Sequence, residues 1–352
     1  MTMTGRLVPL RVLVVDDSAF NRRSIGDMLS HSAEVEVVGK AADGEEALRL
    51  AALLKPDAIT LDLEMPRMDG FTLLRILMSK MPTPVIVVSS YAQKENVFKA
   101  LELGAIDFVA KPDRFDDAEL RSIREELLQK ILMVRNLRAS AIAPRPRFET
   151  RAEAHPVIAK AAPPRYIVAI GSSTGGPTAL MDIFGRLPRR THLGYLIAQH
   201  MPDKFTRTFA ERLDRRGPVR ITEAQDNDML TERVGFVCPG RRSMQLMNGS
   251  EGDLRLRILA PHPEDRYVPS VDRLFSSVAR AAAERAVGVI LTGMGDDGVK
   301  GAREILDRGG QVIAESERTA VVYGMPGAAV RAGVTTRVLG LPDIAQFLST
   351  LG

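Results

Sequence analysis

Short apolar runs, each leading into a stretch of helical spacing, constrain this chain more than any other feature. Runs over 11–15, 35–39, 58–61, 85–88 and 107–110 are rich in β-branched residues, and apolar residues at helical spacing fill 19–29, 44–54, 70–81 and 94–104 between them. Five repeats of this kind predict a doubly wound, five-stranded parallel sheet of the flavodoxin type. Connections in such a sheet bring the carboxyl ends of the strands to one edge, where ligands bind. The residues just past each strand therefore matter. Asp16 and Asp17 come after the first, Asp62 after the third, Ser89 and Ser90 after the fourth, Lys111 and Pro112 after the fifth. A single acid after a strand is ordinarily a helix cap. Carboxylates gathered at one edge repel one another unless a cation offsets them, so this set calls for a Mg²⁺ ion beside Lys111.

A second α/β pattern starts near 166. The β-rich run 166–170 leads into the turn Gly171-Ser172-Ser173-Thr174-Gly175-Gly176-Pro177 and then helical spacing over 178–187. Read as G-x-S-x-G, the turn puts Ser173 on a sharp bend at the carboxyl end of a strand, a nucleophile's position. The competing reading is a phosphate cradle. It loses its two specific forms, because no Lys comes after the glycines and no G-x-G-x-x-G is present. A serine needs a base, and the base needs a group to orient it. Of the five histidines, His31 and His155 fall in other segments and His192 opens a strand in a basic cluster. His200 ends the apolar strand 193–198 at the same edge as Ser173, and His262, in a Pro-flanked loop, is the runner-up. A third strand over 287–291 ends in Thr292-Gly293-Met294-Gly295-Asp296-Asp297-Gly298, which offers two carboxylates, one of them expected to cap a helix.

Gly-Ser-Ser-Thr-Gly-Gly, Gln-His-Met-Pro and Leu-Thr-Gly-Met-Gly-Asp-Asp-Gly, in that order, resemble the catalytic domain of the chemotaxis methylesterases (CheB family), a doubly wound, Rossmann-like fold. The resemblance implies Ser173 as nucleophile, His200 as general base and Asp297 as its orienting acid, with no metal needed at the esterase site; backbone N–H groups near Thr174 and Met294 are candidates for the oxyanion hole. Asp296 stands where that family usually has asparagine, and a further negative charge there is expected to raise the histidine's pKa. The order Ser, His, Asp separates the chain from α/β-hydrolases, which run Ser, acid, His. The first half resembles a response-regulator receiver domain over its whole length. That implies Asp62 as phosphoryl acceptor, Asp16, Asp17, Asp62 and the main-chain carbonyl of Glu64 on Mg²⁺, Ser89 and Lys111 on the phosphoryl group, and Phe108 as the aromatic switch. Together the two resemblances imply a hydrolase that demethylates glutamyl methyl esters, and deamidates glutamines, on chemoreceptors. They imply a histidine kinase as phosphodonor, and a receiver that covers the serine crevice until phosphorylated.

The expected domains are a receiver over 1–116, a helix and an Ala/Pro/Arg-rich linker over 117–164, and a catalytic domain over 165–352. The helix, 118–137, is read as continuing the receiver's last helix. Shorter strands over 219–223, 233–237, 244–247 and 255–260 are expected to form an antiparallel extension of the second sheet. The segment 322–332 is expected to close over the site. The one cysteine, Cys238, excludes an internal disulfide and suits a reducing cytoplasm. No apolar run is long enough to span a bilayer and the first ten residues are too short and polar for a signal peptide, so a cytosolic protein is expected; the resemblance implies that it meets membranes only through the receptor. Net charge is +4, but residues 166–352 carry 24 basic against 21 acidic side chains, so no nucleic-acid surface is expected there. The contending class, a receiver joined to a DNA-binding or other binding module, expects a compact helix-turn-helix where the sequence has strands and glycine loops.

Overall fold

The computed structural model describes residues 8–90, 94–111, 117–137, 162–189, 191–250 and 252–352. Most of the linker expected over 138–165, with His155, lies outside them, as does Pro112. The chain divides into two compact units, Met1–Arg147 and Phe148–Gly352.

In the first unit strands β1 (Leu10–Val15), β2 (Val35–Ala41), β3 (Ala58–Leu61), β4 (Val85–Ser89) and β5 (Asp107–Ala110) alternate with helices α1 (Ala19–Ser30), α2 (Gly44–Leu54), α3 (Gly70–Lys80), α4 (Lys94–Glu102) and α5 (Asp117–Leu132). The strands pair in parallel in the order β2-β1-β3-β4-β5. This is the expected flavodoxin-type sheet, and its order reverses between β1 and β3. The central strands are buried along their length because helices cover both faces, which is why β3 and β4 read as largely apolar runs. Leu127 and Ile131 of α5 join the core formed by Val12, Val14, Ile25, Leu29 and Val109, so α5 is the last helix of this unit, as its spacing implied. It ends in a 3₁₀ turn, Met133–Asn136, rather than running on to 137.

Local capping sets where helices start. Asp69 Oδ1 accepts from the Thr72 N–H (2.7 Å) at the start of α3, and that bond holds its carboxyl below the usual range. Replacing Asp69 with alanine should cost about 1 kcal/mol of stability at neutral pH. A depressed carboxyl stabilises the fold above its unfolded pKa of 3.8 and loses that contribution as pH falls through the folded value. The gap in urea midpoint between Asp69→Ala and the parent should therefore close on acidification; a gap independent of pH would mean the cap is not the carboxylate.

The second unit is built on a seven-stranded sheet of β6 (Tyr166–Ser172), β7 (Leu193–Gln199), β8 (Arg220–Glu223), β9 (Val234–Val237), β12 (Ala286–Ile290), β13 (Gln311–Glu315) and β14 (Arg337–Leu339), in the order β14-β13-β12-β6-β7-β9-β8. Every pairing is parallel. The expected antiparallel extension is therefore corrected: β8 and β9 complete the parallel sheet, and β10 (Ser243–Asn248) and β11 (Leu254–Leu259) pair antiparallel as a separate hairpin. The hairpin's Met244, Leu246, Leu254 and Leu256 are buried in the same core as α8 (Val271–Ala282), which draws it off the sheet. Helices α6 (Gly176–Arg186), α7 (Asp203–Asp214), α9 (Val299–Asp307), α10 (Met325–Arg331) and α11 (Leu341–Leu351) complete the unit. Winding reverses between β6 and β12, so the loops after β6, β7 and β12 open into one crevice.

Candidate functional sites

At the carboxyl edge of the first sheet, carboxylate oxygens of Asp16, Asp17 and Asp62 all lie within 4.8 Å of one another. Asp16 and Asp62 are buried, and Lys111 bridges them, its Nζ 2.8 Å from Asp16 Oδ2 and 2.6 Å from Asp62 Oδ2. The two carboxylates hold the lysine above its ordinary pKa against the cost of burying it. Burial raises the Asp62 carboxyl and Asp16 adds to the rise; Lys111 pulls it down without cancelling it. Three acids against one lysine leave the cluster with excess negative charge, and its all-oxygen donor set suits a hard divalent cation such as Mg²⁺.

The backbone fixes this geometry. Asp62 Oδ1 accepts from the Leu63 N–H (2.8 Å), and Asp16 Oδ1 from the Ser18 N–H (2.9 Å) and Asn21 Nδ2 (3.3 Å). Gly70 lets α3 approach closely, since a Cβ there would stand 2.4 Å from the Asp62 carbonyl oxygen. Ser89 is buried at the end of β4, and its carbonyl accepts from the Lys111 N–H (2.7 Å). Phe108 points inward, packed edge-to-face on Phe98 at 6.3 Å. The Glu64 side chain is exposed and accepts from Asn96 Nδ2 (3.4 Å).

In the second unit Ser173 comes directly after β6 and is half-buried. Its N–H donates to Thr292 O (3.0 Å), tying the serine turn to the loop after β12. Gly293 sits against it: a Cβ on Gly293 would lie 2.7 Å from Ser173 Cβ. His200 comes directly after β7, and its N–H donates to Ser172 O (3.0 Å). Its Nε2 lies 2.9 Å from Asp297 Oδ2. Asp297 is 2 % exposed and also accepts the N–H groups of Val271 (2.8 Å) and Asp272 (3.0 Å), the first residues of α8. With Asp297 Oδ2 as the acceptor in this contact, Nε2 carries the hydrogen and donates, which leaves Nδ1 as the acceptor.

Of the two acids in the loop, the buried one does both jobs the sequence divided between them. Asp297 orients the histidine and caps a helix, but that helix is α8, from an earlier segment. Asp296 is exposed, with Oδ1 3.3 Å from Tyr267 Oη and 3.4 Å from Arg266 Nη1, so a cation partly offsets its charge. The runner-up His262 lies in an exposed turn, its Nδ1 accepting from the Glu264 N–H, and His192 pairs with Glu232 at 2.6 Å. Thr174 and Met294 flank Ser173 from two loops, one next to Ser173 itself and one next to Gly293. Cys238 is buried, and burial pushes its thiol well above the ordinary range, so it is a packed side chain. The segment expected to close over the site contributes Tyr323, bridged to Gly293, and the buried Met325, whose sulfur a Cβ on Gly293 would meet at 2.4 Å.

Gln199 belongs to the site although sequence reasoning passed it over. Ser172 Oγ donates to its Oε1 (2.6 Å), and its Nε2 donates to the carbonyls of both Ser173 and His200 (2.9 Å each). One buried amide thus clamps the backbones of Ser173 and His200. Its only sequence signal was adjacency to His200. Gln199→Leu leaves the Ser172 hydroxyl buried without its acceptor, a loss of about 1–3 kcal/mol. It should also lower kcat by about 10- to 100-fold with the substrate KM little changed. Methanol-release kinetics alongside urea denaturation check both; a destabilised variant with full kcat would remove the clamp from the catalytic argument.

A parallel receiver-type sheet in one unit and, in the other, a parallel sheet bearing a serine, histidine and aspartate at its switch point define a two-unit α/β protein of the receiver–hydrolase class. The chain belongs to the CheB methylesterase family. The family description "CheB methylesterase" matches residues 168–348, and "Response regulator receiver domain" matches 12–124. The protein-glutamate methylesterase/protein-glutamine glutaminase 1 of Myxococcus xanthus is 47% identical over 97% of this chain and 97% of its own. Its counterpart in Pyrococcus abyssi is 39% identical over 98% of this chain and 94% of its own. The crystal structure of the Thermotoga maritima CheB methylesterase catalytic domain superposes with a TM-score of 0.52 at 35% identity, covering 53% of this chain and 98% of that one. Among the described residues no helix is long and apolar enough to cross a membrane.

Proposed function

We propose that this chain is a carboxylic ester hydrolase that removes methyl groups from glutamyl methyl esters of chemoreceptors, and deamidates their glutamines, under control of phosphorylation at Asp62. The observation that carries the reading is the 2.9 Å contact of a buried, helix-capping Asp297 with Nε2 of His200, which comes one residue beyond β7, the strand paired with the one that leads into Ser173. Held in that tautomer, His200 takes the Ser173 Oγ proton at Nδ1 as Oγ attacks the ester carbonyl. Backbone N–H groups at Thr174 and Met294 receive the negative charge that develops on the carbonyl oxygen. The proton then passes from Nδ1 to the departing methoxide, methanol leaves, and water resolves the acyl-enzyme by the same route in reverse, releasing the glutamate carboxylate. A primary amide takes the same path with ammonia leaving.

At the receiver site Asp62 is the nucleophile toward a phosphodonor, in the cell a kinase phosphohistidine. Asp16, Asp17, Asp62 and the Glu64 carbonyl would hold Mg²⁺, which when bound neutralises charge on the phosphoryl group. Lys111 pairs with the new phosphoryl oxygens, Ser89 donates a hydrogen bond to them, and Phe108 reports the change. The unphosphorylated receiver restrains the esterase, and the site of action is cytoplasmic, where the receptors are methylated. Methanol release from methylated receptor membranes, with and without a small phosphodonor and Mg²⁺, tests the whole reading. Folded protein that releases none under either condition would leave a phosphorylation-gated binding module in its place.

A further inference from the structure

The imidazole of His200 is held by more than its edge. The ring of Tyr267 lies flat against it, the two planes inclined by 5° with centroids 5.2 Å apart, an offset stack. Tyr267 is itself held from two sides. Its hydroxyl donates to Asp296 Oδ1 (3.3 Å), and the Arg266 guanidinium sits over its ring at 5.1 Å while also meeting Asp296 Oδ1 at 3.4 Å. Burial and the Asp296 carboxylate keep the phenol protonated by raising its pKa, against the pull of Arg266. The loop after β12 leaves room for this side chain. Gly295 has φ +83°, and a Cβ on it would lie 2.2 Å from Tyr267 Oη.

The segment carrying Tyr267 is anchored at both ends of its short span. Asp265 Oδ1 pairs with Arg273 Nε at 2.5 Å, and Asp265 Oδ2 accepts the His262 N–H at 2.8 Å. Four residues after Tyr267, the N–H of Val271 rests on Asp297 Oδ2, the same oxygen that meets His200 Nε2. One carboxylate therefore fixes both the edge of the imidazole and the root of the segment that covers its face. A hydrogen bond to Nε2 alone leaves the ring free to tilt about that contact, and tilting would swing Nδ1 away from the serine. A flat stack removes that freedom.

We propose that Tyr267 is a positioning residue for the general base, its stacked ring holding the His200 imidazole in plane, with Asp296 and Arg266 holding Tyr267 in turn. This rests on the reading of His200 as the base. It assigns Asp296 a mechanical role at the site, acting on the histidine through an aromatic ring.

Two readouts test it, one independent of activity. In wild-type protein the hydrogen on His200 Nε2, buried between Asp297 and the stack, should give a slowly exchanging downfield proton resonance, assigned by its loss in His200→Gln. Tyr267→Ala should broaden or abolish that resonance and lower kcat about 10- to 100-fold with KM little changed. Tyr267→Phe keeps the stack and the Arg266 contact but loses the bond to Asp296, so it should retain the resonance with kcat between those of wild type and Tyr267→Ala; Gly295→Ala, whose Cβ would meet the phenol oxygen, should resemble Tyr267→Ala. A folded Tyr267→Ala protein with the resonance intact and kcat unchanged overturns the proposal. So does a change confined to KM, which would make Tyr267 a substrate contact, or a Phe variant as impaired as Ala, which would put the effect in the hydroxyl. If wild-type protein released no methanol while Tyr267→Ala still lost the resonance, the assigned reaction would fall and the positioning of His200 by Tyr267 would stand.

Discussion

Ser173→Ala should lower methanol release by about 10⁴-fold or more, and adding His200→Ala should cost almost nothing further. In the proposed reaction nucleophile and base act in one step: with no hydroxyl to deprotonate, a correctly held imidazole has nothing to do. The substitution should leave stability nearly unchanged. The bonds that hold this turn are main-chain bonds, the Ser173 N–H to Thr292 O and its carbonyl to Gln199 Nε2, and alanine keeps them. Asp297→Asn is the harsher test of geometry. Its carboxylate accepts from His200 Nε2, Val271 N and Asp272 N together. An amide has one acceptor oxygen, so at least one of the three donors would face an NH₂ group. Activity should fall by about 10⁴-fold as the imidazole loses its tautomer, and the start of α8 should loosen as well. Burst kinetics with an activated ester separate the cases: Ser173→Ala should show neither burst nor turnover, and a retained burst would place the nucleophile elsewhere.

Most of the architecture could be read from the chain because parallel sheets leave a plain signature. Their strands are buried on both faces, so β3, β4 and β12 are buried along their length and largely apolar, and the residues just past each strand arrive at one edge. That put Asp16, Asp62, Lys111, Ser173 and His200 at the strand ends where the structure has them. What the sequence could not give was contact between segments distant in the chain. Strands β8 and β9 looked like pieces of a meander because they are short and close in sequence, yet α7 and the Asn227 turn supply the connections that let both run parallel to β7. Asp297 was legible as a carboxylate in the right loop, but its hold on α8, 25 residues earlier, has no local pattern. Gln199 and Tyr267 were invisible as site residues for the same reason. An amide beside a histidine and a tyrosine in a polar loop carry no spacing that marks them, and only the fold brings them to the imidazole.

Asp62→Asn should abolish stimulation of the esterase by a phosphodonor while making the protein more stable. Asparagine keeps the shape, and its oxygen can still accept the Leu63 N–H, but an amide cannot attack phosphorus. The charge argument runs the other way. Asp16, Asp17 and Asp62 against Lys111 leave the cluster at −2 without a metal ion, and the substitution brings it to −1. Burial and the neighbouring Asp16 raise the Asp62 carboxyl above its ordinary 3.8. A group whose folded pKa is raised binds its proton more readily folded than unfolded. Its contribution to stability is therefore full below 3.8 and is lost as pH rises through the folded value, so at neutral pH the ionised carboxylate opposes folding. In metal-free buffer the Asn variant should melt above the parent at neutral pH, and the difference should shrink on acidification. Lys111→Met should do the reverse, leaving two buried carboxylates without their cation at a cost of about 3–5 kcal/mol. Stimulation by phosphodonor that survives Asp62→Asn would move the phosphoryl acceptor off this residue. A melting temperature that falls would mean that the Lys111 ion pair, and not the repulsion among the acids, dominates the cluster.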